Sequence, residues 1–303
     1  MLSQLLGDAH ITGLHRLSGG ASRETWRFEA DGRALILQRQ RTGDQRDMLV
    51  EAGVLRAALR GGVPVPHLID ARRRDDGLAF MVLEAVDGET IARKILRDDE
   101  FVNARRHLVG DLGSALARIH ALDPATASGL EHTDQIEYYT TALDQLGEPH
   151  PVLELVRNWL IDNRPTSGRT AVVHGDFRLG NLIVGSDGLR AVIDWELAHL
   201  GDPMEDLGWL CVKAWRFGGT SPVAGVGTYE ELFGAYEAAG GGVVDPVTVH
   251  WWEVLGTWKW AIMCVLQASV HLSGVSRSHE LAAIGRRVCE NEYDLLLALD
   301  GWW

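Results

Sequence analysis

HGDFRLGNLIV, residues 174–184, sets a carboxylate, Asp176, five positions ahead of an amide, Asn181, and then runs into an apolar segment. Taken singly, Asp and Asn are ordinary turn residues. Their surroundings make the stretch informative. TAVVHGDF and LRAVIDW read as two short apolar strands within residues 171–194, and the second ends on another carboxylate, Asp194. A carboxylate within hydrogen-bonding reach of a substrate hydroxyl can orient it and accept its proton. An amide oxygen beside a carboxylate is a pair of hard ligands suited to Mg²⁺ that also holds phosphate oxygens. Those are the parts of phosphoryl transfer, where catalysis is mostly positioning and charge neutralisation.

Working outward, residues 10–40, HITGLHRLSGGASRETWRFEADGRALILQRQ, hold three alternating apolar runs broken at Gly19-Gly20 and Asp31-Gly32. Asp-Gly between two such runs is a hairpin signal. Met48, Val50, Val54, Leu55 and Leu59 then follow helical spacing up to a pair of glycines, and two further strands flank the polar turn near residue 75. Past residue 88 the pattern turns helical, with breaks at Asp123-Pro124 and Pro149, and it is helical again from Leu207 around a glycine-rich loop at 218–227. The expectation is an α+β chain with two lobes: residues 1–86, a small antiparallel sheet with one helix, and residues 87–303, a larger mainly helical lobe.

Composition narrows the partners. A net charge of −13 over 303 residues argues against nucleic acid, whose phosphates need a basic surface. Cys211, Cys264 and Cys289 lack metal-type spacing and fit a reducing, cytoplasmic setting without disulfides. No signal peptide is read at MLSQLLGDAH. The most apolar segment, Trp251–Leu272, carries Glu253, Lys259, Gln267 and His271, and reads as a buried helix rather than a membrane span. Seven of the 11 tryptophans fall between Trp195 and Trp260, mostly for core packing, with a minority available to line a pocket.

The Asp-to-Asn separation matches the catalytic loop of protein kinases, which also place a metal-binding Asp further on. VVHGDFRLGNLIV together with AVIDWELAHLGDPMEDLGWL resembles the aminoglycoside phosphotransferase and choline kinase family, small-molecule relatives of protein kinases. LSGGASRETWRF is similar to that family's phosphate loop, and VEAGVLRAALRGGVPVPHLI to its helix C and following strand. Downstream, WWEVLGTWKWAIMCVLQASVHLSG and RSHELAAIGRRVCENEYDLL resemble most the subgroup fused to, or named for, acyl-CoA dehydrogenases. The resemblance implies ATP and Mg²⁺ as cofactors. It implies Asp176 as catalytic base and Asn181 and Asp194 as metal ligands. It lays Ser18, Gly19, Gly20 and Ser22 over the ATP phosphates and brings the backbone of Glu84–Val86 to the adenine. Glu51 would pair with a phosphate-binding cation. His174 would pack behind the catalytic loop, and Asp202 and Asp206 would hold backbone and a helix start.

One departure stands out. The family's cation is a lysine or arginine near the end of the third strand, yet the only lysines here are Lys94, Lys213 and Lys259. The alignment puts Gln38 at the position, with Arg39 next, and Arg39 is the expected substitute if the strand's alternation shifts by one. Glu196 is open between approaching the metal and a structural use. The expected activity is phosphorylation of a small-molecule hydroxyl, either a hydroxy acid or hydroxyacyl-CoA, or an aminoglycoside or amino alcohol; loss of transfer in a nucleotide-binding protein is the third reading. Oligomeric state is left open.

Overall fold

A computed structural model describes residues 6–17, 23–43, 46–166 and 168–301; Ser18, Gly19, Gly20 and Ser22, expected over the phosphates, lie outside the described residues. The fold is a two-lobe kinase-like α+β fold. Strands β1 (Ile11–Arg16), β2 (Arg23–Ala30), β3 (Arg33–Gln40), β4 (Leu68–Arg73) and β5 (Ala79–Glu84) form one antiparallel sheet in the order β1-β2-β3-β5-β4. The Asp31-Gly32 turn closes β2 on β3 with Ala30 opposite Arg33, and both turn residues have positive φ (48° and 79°), as a two-residue hairpin turn requires. One face of β2–β3 buries Phe28, Leu35 and Leu37 in a small outer cluster with Phe80 and Val82. The other face, with Thr25, Arg27, Ile36 and Gln38, lines a cleft.

Helix α1 (Met48–Arg60) starts where Asp47 accepts from the Leu49 N–H, and it turns Glu51, Val54, Leu55 and Ala58 inward. After β5 the chain passes Gly88. Its φ of 153° and the 2.9 Å that would separate an added Cβ from Val184 O leave no room for a side chain. Immediately after it, Glu89 and Val184 exchange both backbone hydrogen bonds, 2.9 and 3.0 Å, pinning the connection to the second lobe.

That lobe holds α2 (Ala92–Arg97), α3 (Val102–His120), α4 (Gln135–Asp144), α5 (Pro151–Asp162), α6 (Met204–Cys211), α7 (Tyr229–Ala238), α8 (Pro246–Leu272), α9 (His279–Gly285) and α10 (Arg287–Leu299). The expected long apolar helix is α8, 27 residues, packed against α4, α5, α6, α9 and α10. Its polar residues explain why it stays in the protein: buried Glu253 accepts from Tyr229 (2.9 Å) and Arg216 (3.0 Å), and buried Lys259 meets Gln135 at 3.1 Å. No helix among the described residues is long and apolar enough to cross a membrane.

The two strands expected in 171–194 become three there, with a fourth just beyond. Strand β6 (Ala171–Val173) pairs with β9 (His199–Gly201), and β7 (Leu182–Gly185) pairs with β8 (Gly188–Val192). The apolar tail of the opening stretch is itself β7. The short β9, HLG, lacks an alternating pattern long enough to read. This crossing of two small ladders brings the loop after β6 and the turn after β8 together.

Candidate active site

The loop 174–181 is held from below by one carboxylate. Asp206, in the first turn of α6, accepts from the backbone N–H of His174 (2.7 Å) and Gly175 (2.9 Å) and from His120 Nε2 (3.1 Å). Burial alone pushes Asp206 up, but these donors, His120 first, hold it below the usual carboxylate range, so it stays charged. Gly175 has φ of 78°, and a Cβ there would collide with Leu197 O. His174 is fully buried. Its Nδ1 accepts from the Asp176 N–H (3.2 Å), so the Nε2–H donates to Ile193 O (3.1 Å). Burial lowers its pKa and keeps it neutral. It ties the two strand ends together from behind the loop.

Asp176 faces the other way. Its Oδ1 accepts from Arg178 Nε (2.9 Å) and Trp209 Nε1 (2.9 Å), and its Oδ2 accepts from Asn181 Nδ2 (2.6 Å). Two donors fill Oδ1, while Oδ2 accepts from one and keeps a lone pair. Asn181 spends its amide nitrogen on Asp176, which leaves its Oδ1 as a ligand atom. The Ile193 N–H donates to Asn181 O at 2.9 Å, so the residue before Asp194 is fastened to the Asn181 backbone. Asp194 itself has φ of 65°, an uncommon setting for a non-glycine residue that turns its side chain out of the ladder.

Above them lies the cleft, about 390 Å³, bounded by Gln38, Glu51, Glu84, Val86, Asn181 and Asp194 among others. The cation paired with Glu51 is Arg23, from the start of β2. Its Nη1 lies 2.9 and 2.7 Å from the two Glu51 oxygens, and its Nη2 lies 2.7 Å from Glu196 and 4.0 Å from Asp194. Arg46 reaches the other Glu196 oxygen at 2.8 Å, which gives Glu196 an ion-pairing role. Arg39, the expected cation, is not in this group. The β2–β3 register runs unbroken from Arg23↔Gln40 to Ala30↔Arg33, so strand alternation sends Arg39 to the far face, 3.9 Å from Glu24. Gln38 does face the cleft.

Three carboxylates against two arginines leave the cleft floor short of positive charge. Burial first, and then Glu196, raise Asp194 to about 6 against the pull of Arg23; burial likewise raises Glu51 to about 7. A divalent cation fits this deficit, and the donors present, the Asn181 amide oxygen and the Asp194 carboxylate, are those Mg²⁺ prefers. No group of three or more His, Cys, Asp or Glu that could hold a metal ion occurs among the described residues.

Beside Asp176 the wall is donor-rich. Arg178 stacks on Trp215, 4.8 Å from ring centre to guanidinium carbon, and Lys259 stands 4.6 Å over Trp209. Burial pulls Lys259 down, but Tyr139, Glu205 and Asp176 outweigh it and hold the ammonium charged. Sequence reasoning missed Arg23, Trp209 and this role for Lys259. Arg23 carried one usable signal: it follows the glycine-rich stretch on the strand face shared with Thr25 and Arg27. Trp209 and Lys259 lay hidden among residues assigned to the core, where six of the seven clustered tryptophans are indeed buried.

A family profile described as a phosphotransferase enzyme family matches residues 13–246. The chain belongs to this phosphotransferase family. Among curated proteins it is 28% identical over 265 residues to mouse (Mus musculus) acyl-CoA dehydrogenase family member 10, covering 78% of this chain and 24% of that protein. The chain thus spans about a quarter of the length of that relative. Among solved structures it is similar to a Ralstonia eutropha protein classed as an aminoglycoside phosphotransferase (TM-score 0.74, 21% identity, 94% of this chain and 91% of that one). It is also similar to the GDP complex of aminoglycoside 2′-phosphotransferase-IIIa (TM-score 0.70, 15% identity, 97% of each chain). At these identities the structural matches establish the phosphotransferase fold.

Proposed function

We propose that this phosphotransferase moves the γ-phosphoryl group of ATP onto a hydroxyl of a small molecule, with Mg²⁺ held by Asn181 and Asp194. The observation that carries the reading is the joint fixing of three side chains. Asp176 is bonded to Asn181, and Asn181 and Asp194, joined through the adjacent Ile193 backbone, line a cleft between the lobes. Asp176 Oδ2 has the free lone pair that orients the acceptor hydroxyl and takes its proton. Bound Mg²⁺ supplies charge neutralisation at the phosphate oxygens. The nucleotide base lies against Glu84–Val86. The Glu84 N–H already donates to His67 O (2.9 Å) and the Ala85 N–H to Ala34 O (3.0 Å), so Val86 offers the backbone donor for it. The lobes divide at residue 86, and the reaction is cytoplasmic, with a free small molecule rather than nucleic acid or membrane as partner.

The acceptor in this reading is a hydroxy acid or its acyl thioester. Arg178, paired with Asp176 at 2.9 Å and stacked on Trp215, sets a guanidinium at the acceptor side, which favours an anionic acceptor over a polycationic one, while Lys259 is buried and paired with Glu205 at 3.7 Å. The relationship to an acyl-CoA dehydrogenase family member supports the same class. The test is ADP release with MgATP over hydroxy acids, hydroxyacyl-CoA esters, aminoglycosides and amino alcohols. Turnover confined to the first two classes and abolished by EDTA is expected. Turnover with the cationic acceptors alone would overturn the assignment of substrate class.

A further inference from the structure

The chain has no lysine before Lys94, and the cleft-facing position near the end of β3 is Gln38, an uncharged amide. A charge is nevertheless present at that place. The Arg23 guanidinium enters from β2 with its side chain 6% exposed, and Gln38 Oε1 accepts from its Nη1 at 3.2 Å. Two carboxylates from different parts of the chain grip it, Glu51 of α1 and Glu196 past the Asp194 turn. Arg23 Nε is buried and has no hydrogen-bond partner among the described residues. Nε shares one edge of the guanidinium plane with Nη2, which already donates to Glu196 at 2.7 Å, so Nε is the donor left on that edge for an oxyanion. A buried donor without an acceptor is costly and uncommon, and in a cleft where the neighbouring Nη2 lies 4.0 Å from Asp194, a candidate metal ligand, it marks a place for a ligand oxygen.

We infer that Arg23 supplies, from the second strand, the cation that engages the nucleotide phosphates, with Glu51 holding it in place of the usual third-strand residue. The inference rests on the nucleotide-dependent reading above. Arg27, the other arginine on this face, does not compete. It sits four residues further along the strand, about 13 Å away, at the cleft mouth and 3.6 Å from Asp87.

ADP and adenosine separate a phosphate contact from a merely structural one. Both are titrated into the wild type, Arg23→Met, and the double variant Arg23→Met/Gln38→Lys, which returns a cation to the third strand. Arg23→Met weakens ADP by about tenfold or more and leaves adenosine within about twofold; the double variant recovers most of the ADP affinity. Should Arg23→Met fail to fold because Glu51 is left unpaired, Arg23→Met/Glu51→Gln removes both charges and is read the same way. Unchanged ADP affinity, or equal losses for ADP and adenosine in a folded variant, would overturn the role of Arg23. A wild type that binds neither compound would instead overturn the nucleotide reading itself.

Discussion

Trp209 Nε1 donates to Asp176 Oδ1 at 2.9 Å, so a tryptophan of helix α6 fixes the orientation of the candidate catalytic base. With Arg178 on the same oxygen, it leaves Oδ2 as the atom proposed to meet the acceptor. Trp209→Phe keeps most of the packing and removes one charge-assisted bond. The expected result is a fall in kcat of about tenfold with the KM for ATP unchanged. Steady-state kinetics check it, and a change confined to the KM for ATP would contradict the arrangement.

Asp206 anchors the loop from beneath. Asp206 takes three donors in a fully buried position, so Asp206→Ala strands two backbone N–H groups and His120. A loss of roughly 3 kcal/mol in urea unfolding is expected. A loss under about 0.5 kcal/mol, typical of surface substitutions, would show that the loop is held by other means.

A pH signature arises at His199 and Glu205, 3.0 Å apart and largely buried. Burial pulls His199 down, and the Glu205 carboxylate outweighs it, so the folded pKa lies above the ordinary 6.5. Burial pushes Glu205 up, and His199 outweighs it, so the folded pKa lies below the ordinary 4.5. The histidine's stabilisation is complete below 6.5 and is lost as pH rises through its raised value. The glutamate's is complete above 4.5 and is lost as pH falls through its lowered value. The stability difference between wild type and His199→Gln is therefore largest between 4.5 and 6.5 and shrinks toward alkaline pH. Thermal unfolding across that range checks it; a difference that grows with pH would contradict the sign.

Arg39 provides a control on the cleft. Lying on the outer face of β3 beside Glu24, it is exposed enough that Arg39→Ala leaves ADP affinity and turnover within about twofold. A tenfold loss of ADP affinity would put Arg39 in the cleft after all.

Much of this was legible in the sequence, for reasons that differ by residue. Asp31-Gly32 gave the β2–β3 hairpin because only a tight turn with positive φ at both residues suits that dipeptide between strands. The grouping of Asp176, Asn181 and Asp194 followed from their spacing and the apolar runs around them. Arg23 was only faintly legible, through its place after the glycine-rich stretch, because replacing a third-strand cation with one from the neighbouring strand depends on cross-strand register, which sequence spacing does not encode. The Trp209 bond to Asp176 was hidden for a related reason: a tryptophan in an apolar helix reads as core, and only tertiary packing decides where its N–H points.

The most direct test of the central claim is transfer of labelled γ-phosphate from MgATP to the acceptor in a single turnover, comparing wild type with Asp176→Asn. The substitution is isosteric and removes the proton acceptor at Oδ2 without emptying the site. The account predicts unchanged nucleotide affinity and a transfer rate reduced by about a hundredfold or more. Transfer by Asp176→Asn at the wild-type rate would contradict it.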